Sequence, residues 1–311
     1  MTRTALAVSV AVIGVTTASA PHAQAPARTR SVYVTALDQS GLPVAGLTAA
    51  DVSIKEDDKP QPVVSVAPAT QKMSIALMID DSGLGISDFR VSVASFMTRL
   101  LGQAEFCLIA TSGQNRTLVD FTEDEAALDK AMQGFTTRVG PLGQHLVEGV
   151  LSTLGLLEKK EAVRPVVVVL TNQMHESGNT PARPVMDKIG RAGATLYVVE
   201  VQQPAVQGLP TTRYDNLSDF SRANEEAEPD RVRLQVLSTG PPATGGRYQR
   251  IVASNGAPAA MRAIASELLS QYQIVFGSAA RPDSAPKIAL STTRPGVTIR
   301  APARAGGRPV R

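Results

Sequence analysis

Tryptophan is absent from the 311 residues, and phenylalanine and tyrosine number only 7 and 5. With 43% of residues hydrophobic, a core must be assembled from valine, leucine, isoleucine and alanine. The single cysteine, Cys107, excludes an intramolecular disulfide; it lies inside an apolar run at residues 105–110, where it reads as a small buried hydrophobe. Histidine occurs three times, and His22 sits near the amino terminus, which leaves His145 and His175 for chemistry. His175-Glu176 is not followed by a second histidine at metalloprotease spacing, and neither a G-x-S-x-G elbow nor a G-x-x-x-x-G-K loop is present. The sequence therefore predicts a protein that is not an enzyme and has no catalytic residue and no organic cofactor.

Long apolar runs are also missing. The longest, residues 5–15, falls short of the ~20 residues that span a bilayer. Arg3 precedes it and Ala18, Ser19 and Ala20 come after it, the tripartite layout of a secretory signal peptide. Residues 1–25 are expected to be a signal peptide and linker, the protein to be secreted or periplasmic, and no integral membrane segment to remain after cleavage. The formal charge of +3 hides an asymmetry: residues 1–30 carry +3 and residues 281–311 carry +6, so the middle carries −6. The basic pI thus belongs to the ends, and no nucleic-acid partner is expected.

The remaining sequence falls into two patterns. Residues 31–70 alternate in short β segments broken at Gly41, Pro43, Gly46 and DDKP (57–60), a small β element expected to pack on the larger domain that starts near residue 72. From Met73 the chain switches to strands alternating with helical stretches, the signature of a doubly wound, mostly parallel α/β sheet. Strands are predicted at 73–79, 105–111, 116–121, 165–170, 195–201 and 273–276. Helices are predicted at 87–101 with Ser87 as N-cap, at 123–135, 143–160, 181–193 closed by Gly193, and 257–271. Residues 215–228 read as helical and 240–246 as a Pro/Gly loop. Residues 278–302 read as a β-hairpin turning at 294–296, and 303–311 as a disordered basic tail.

The organising stretch is MSIALMIDDSGLG at 73–85, an uncharged apolar run that stops at two aspartates. Strands buried on both faces read as continuous apolar runs, and ligands of open α/β sheets bind beyond the carboxyl ends of such strands. Asp80, Asp81 and Ser82 stand at that position. Oxygen-only groups suit a hard cation such as magnesium, and the same residues are also the ordinary residues of a turn that opens a helix.

DDSGLG after an apolar strand, GQHL opening a helix, LTN after PVVVVL, and TGG before Arg247 and Tyr248 together resemble a von Willebrand factor A-type domain over residues 72–277. The flanks, DQSGLPVAGLTAADVSIKEDDKPQ before and RPGVTIRA after, resemble the secreted bacterial von Willebrand factor A-related proteins. The resemblance implies a Rossmann-like fold with a metal-ion-dependent adhesion site, at which a divalent cation bridges to an acidic group on a partner. Its metal positions map to Asp80, Ser82, Gln144 and Asn172. The family's second motif serine is Leu84 here, its threonine is Gln144 and its second aspartate is Asn172. Leu84 offers no ligand, while Gln144 and Asn172 offer uncharged carbonyl oxygens. The resemblance thus implies a degenerate site with weak magnesium or calcium binding, or none. The function implied is a secreted binding or adhesion module with a protein partner. The alternative is an assembly component of an envelope complex in which this face binds nothing.

Overall fold

The computed structural model describes residues 28–83, 85–138, 143–202 and 217–306, with the backbone alone for 217–227. The expected signal peptide, Leu84 and residues 307–311 lie outside the described residues. In chain order the elements are β1 (Thr29–Leu37), β2 (Val52–Glu56), β3 (Lys59–Gln61), β4 (Val63–Pro68), β5 (Met73–Ile79), α1 (Ile86–Leu100), β6 (Ala104–Ala110), β7 (Arg116–Thr122), α2 (Glu125–Gln133), α3 (Leu146–Lys159), β8 (Arg164–Asn172), α4 (Ala182–Ala192), β9 (Thr195–Val201), α5 (Leu217–Ala243), β10 (Tyr248–Ile251), α6 (Ala257–Leu269), β11 (Tyr272–Gly277), β12 (Ile288–Thr292) and β13 (Thr298–Arg300).

A six-stranded sheet in the order β10-β9-β8-β5-β6-β7 forms the centre. All its pairings are parallel except that of β7, which runs antiparallel along one edge. Every residue of β5 is buried, as its uninterrupted apolar run requires. Met73, Ile75, Leu77 and Ile79 face a layer made by α1, α2 and α6. The opposite face, which includes Met78, Cys107, Val167 and Val169, is covered by α3, α4 and α5. The alternation of strands with helices thus yields the expected mostly parallel, doubly wound sheet. Cys107 is fully buried, and burial pushes its thiol up to about 12.

The second body is a small β-sandwich. One antiparallel sheet has the order β13-β1-β11-β4 and the other β12-β2-β3, and between them pack Val32, Val34, Ile54, Ile274, Phe276 and Ile288. Two expectations change here. Residues 273–276 do not extend the central sheet but pair with β1 and β4. The burial of β11 alternates, with Tyr272, Ile274 and Phe276 inward, which suits a half-covered antiparallel strand and not a parallel one covered on both faces. The carboxyl-terminal strands do not form a hairpin either: β12 pairs with β2 and β13 with β1, so the turn at residues 294–296 carries the chain from one sheet to the other.

Three local expectations also shift. Helix α1 starts one residue before Ser87, behind Gly85, whose φ of 69° is open to glycine without strain. The Pro/Gly loop at 240–246 begins as the last turn of α5, with Pro241 and Pro242 inside it. Proline fixes φ near the helical value, and the freed geometry is absorbed by bonds from Thr244 N and Gly246 N to Pro241 O. Residues 303–306, expected in the disordered tail, are packed, with Ala305 buried and its carbonyl accepting from Arg30 Nη1 at 3.0 Å.

Candidate functional site

The central sheet changes winding direction between β5 and β8, and the crevice beyond their carboxyl ends is where the sequence put its site residues. Asp80 comes directly after β5 and is 1% exposed. Its Oδ1 accepts from Ser82 N at 2.8 Å and from Ser112 Oγ at 3.0 Å. Its Oδ2 accepts from Asn172 N at 3.0 Å and from Asn172 Nδ2 at 2.8 Å. Both oxygens are thereby occupied by protein donors. Asp81, fully buried, turns toward β6 and β7: Oδ1 accepts from Ser112 N at 2.9 Å, and Oδ2 pairs with the half-exposed Arg116 at 3.3 Å.

Gln144 enters from the segment before α3. Its backbone is stitched to the loop after β8, with Gln144 N donating to His175 O at 2.8 Å and Ser177 N donating to Gln144 O at 2.7 Å. Its Oε1 accepts from Thr171 Oγ1 at 3.2 Å, while Nε2 is buried without a hydrogen-bond partner. Ser82 Oγ and Thr111 Oγ1 are likewise buried and unpartnered. The structure therefore brings Asp80, Ser82 and Asn172 together around one carboxylate, with Gln144 joined to them through Thr171. Leu84, which stands at the family's second serine, lies outside the described residues.

As arranged, these groups do not fit a divalent cation. A metal needs free oxygen lone pairs, and Asp80 has given both oxygens to hydrogen bonds. At Asn172 the group facing Asp80 is an amide N–H, a donor that occupies the side a cation would take. Asp81 brings a second negative charge close by, but Arg116 offsets it. Among the described residues no group of three or more His, Cys, Asp or Glu side chains is arranged to hold a metal.

Four contributors were not read from the sequence. Ser112 stands just past the carboxyl end of β6, and the rule that placed Asp80 would have found it. Arg116 opens β7 and had no signal beyond its charge. Arg233 of α5 donates to Asn172 O at 2.9 Å and pairs with Glu200 at 2.6 Å, both side chains being buried. Glu176 is 1% exposed and caps α3, its Oε2 accepting from Leu146 N at 3.1 Å and from Val147 N at 3.4 Å. Burial pushes its carboxyl up to about 7, against the backbone donors and Arg233, which favour the charged form. The two histidines stand apart from Asp80: His145 Nδ1 lies 3.8 Å from Glu148, and His175 Nδ1 lies 3.0 Å from Asp230.

No family model matches the chain, and no curated protein does. Solved structures similar to it include a von Willebrand factor type A protein from Catenulispora acidiphila, 10% identical, covering 92% of this chain and 75% of that one with a TM-score of 0.45. The conserved hypothetical protein BatB from Bacteroides thetaiotaomicron is 17% identical over 64% of this chain and 97% of that one, with a TM-score of 0.42. The vWF domain of the type V pili tip protein Mfa5 from Porphyromonas gingivalis is 12% identical over 63% and 95%, with a TM-score of 0.39. These are likenesses at low identity. On its own strand order, antiparallel edge strand and switch-point cluster, the larger body of this chain has the fold of a von Willebrand factor A-type domain.

Proposed function

We propose that this chain is an exported, non-enzymatic binding module that engages a partner protein through the carboxyl end of its central sheet, without a bridging cation. The observation that carries the reading is the Asp80 cage. Burying a carboxylate is costly unless donors surround it, and nothing in the sheet requires one there. Four donors from three segments hold Asp80, while Ser82 Oγ, Thr111 Oγ1 and Gln144 Nε2 beside it have no partner. The cage is buried, and by tying together the segments that carry Ser82, Ser112 and Asn172 it holds this end of the sheet rigid, which suits a support for a binding surface. Export rests on the amino-terminal pattern of Arg3 and residues 5–20. The mass of the mature protein should place its first residue between 21 and 27, and a chain beginning at Met1 would overturn export.

The test is capture of a partner from the native cell envelope, with and without chelator. Capture should survive chelator and be lost in the Asp80→Ala, Asp81→Ala variant, whose folding is checked by circular dichroism. Loss in chelator would restore a cation to the reading. Full capture by the double variant would favour the assembly role instead.

A further inference from the structure

Beside the Asp80 cluster, between edge strand β7 and α2, runs a groove of about 420 Å³. Leu118, Val119, Ala127 and Ala131 supply an apolar floor, Arg116 and Lys130 bring two cations, and none of the lining residues is acidic. Lys130 is exposed and makes no ion pair among the described residues. Arg116 reaches Asp81 with Nη2 only. A guanidinium has five N–H donors, so it can hold Asp81 and a second carboxylate together.

The wall of the groove is a sheet edge. β7 pairs with β6 on one side, and among the described residues no strand lies on the other. Its far half is blunted, because Asp120 Oδ1 accepts from Phe121 N at 2.8 Å. Its near half, residues 116–119, lines the groove and has no partner strand on its outer side among the described residues, while a register shift between Leu108 and Ile109 sets a bulge at Leu118. An edge with an unpaired side is a template for an added strand, in which backbone bonds give affinity and side-chain pockets give selectivity, and the bulge at Leu118 limits such pairing to a short segment.

We infer that this groove docks an extended segment of a partner protein along residues 116–119, with apolar side chains on the floor and an acidic side chain held by Arg116 and Lys130. The proposal rests on the protein-binding reading above and names its partner chemistry. A cation would recognise an acidic group through a metal bond; here two fixed positive side chains do so. Charge selects the acid, and the open strand edge selects a peptide over a free fatty acid, which has no backbone to pair.

The test is titration of the ¹⁵N-labelled protein with acetyl-Val-Glu-Val-amide, with acetyl-Val-Gln-Val-amide and octanoate as comparisons. Amide shifts should fall at residues 116–119 and 127–134 with the glutamate peptide. Lys130→Gln should weaken binding about tenfold, the loss of one charge-assisted contact. Equal binding of the glutamine peptide, binding of octanoate but not peptide, or shifts centred on Ser82 and Asn172 would each overturn the groove proposal. If those outcomes occur while partner capture still depends on Asp80 and Asp81, the groove fails and the binding reading stands. If the peptide binds as expected but capture ignores both aspartates, the groove stands and the Asp80 face fails.

Discussion

At the amino end of β8 the guanidinium of Arg164 is 3% exposed and donates to the carbonyls of Ala69, Gln71 and Leu268 and to Gln271 Oε1. Tyr33 of β1 lies under it, 5.3 Å from ring centroid to guanidinium. At the carboxyl end of the same strand, Asn172 holds the carboxylate of Asp80. Both networks bury a charge, of opposite sign, and they differ in what they join. The acceptors around Arg164 come from the two crossings between sandwich and central sheet, β4 to β5 and α6 to β11, so this cation latches the two bodies together. The donors around Asp80 come from strand ends within one body, and they leave neighbouring polar atoms unpartnered. Arg164 Nε is itself buried and unpartnered, so unsatisfied atoms do not separate the two. A buried charge whose partners lie on connections between the bodies marks a joint, whereas one held by donors from the strand ends of a single body marks a site.

The strongest way to break this contrast is at the joint. Arg164→Met keeps the aliphatic bulk but strips donors from buried carbonyls, which should cost about 5 kcal/mol, the upper part of the range for breaking a buried charged network. Urea unfolding should show a lower midpoint or an early separate transition of the sandwich. An unchanged midpoint would show that the latch is ornamental.

The next test is at the other end of the strand. Asn172→Asp removes the amide donor and sets a second carboxylate against Asp80. Two acids sharing such a site raise one pKa by about three units, which corresponds to about 4 kcal/mol lost at neutral pH. Millimolar calcium or magnesium should restore part of that stability in the variant, and leave the unmodified chain unmoved. Thermal unfolding with and without metal reads both. Stabilisation of the unmodified chain by magnesium would mean that the Asp80 cage opens to a cation.

Much of this was legible because one-dimensional patterns map onto it directly. The continuous apolar runs of β5 and β8 report strands covered on both faces, and the polar residues after them report strand ends at a switch point. Asp80 was found that way, whereas Asn172 was placed by the resemblance that LTN after PVVVVL carries. The orientation of Asp81 was not legible, since it is decided by Ser112 N and Arg116, more than thirty residues away along the chain. The sandwich was misdivided for a related reason: β11 comes after α6 without a linker, and proximity in sequence outweighed its inward Tyr272, Ile274 and Phe276, which were readable as an alternating strand. Glu176 gave no signal, because a lone glutamate in a loop looks solvated until the fold places it over a helix end.

Glu176 supplies the smallest expected effect and a pH axis along which the two ends of β8 should separate. Its carboxyl faces Leu146 and Val147 N at the start of α3 and Gly178 N in its own loop. Arg233 of α5 acts on it from the other side, and His145, Glu148, His175 and Asp230 are the titratable groups around that loop. Its folded value of about 7 lies above the ordinary 4.5, so the folded protein keeps the proton over an interval in which the unfolded chain releases it. Stability from this group is therefore full below pH 4.5, falls as pH rises, and levels off above pH 7; 1.36 kcal/mol per unit makes the total about 3 kcal/mol. Glu176→Gln cannot ionise and should flatten that stretch of the stability curve, leaving Arg164 unaffected because it stays charged throughout. Denaturant unfolding at pH 5, 6, 7 and 8 measures it. Parallel curves for the two proteins would mean that the three backbone N–H donors outweigh burial, and that the Glu176 carboxylate is already charged at pH 5.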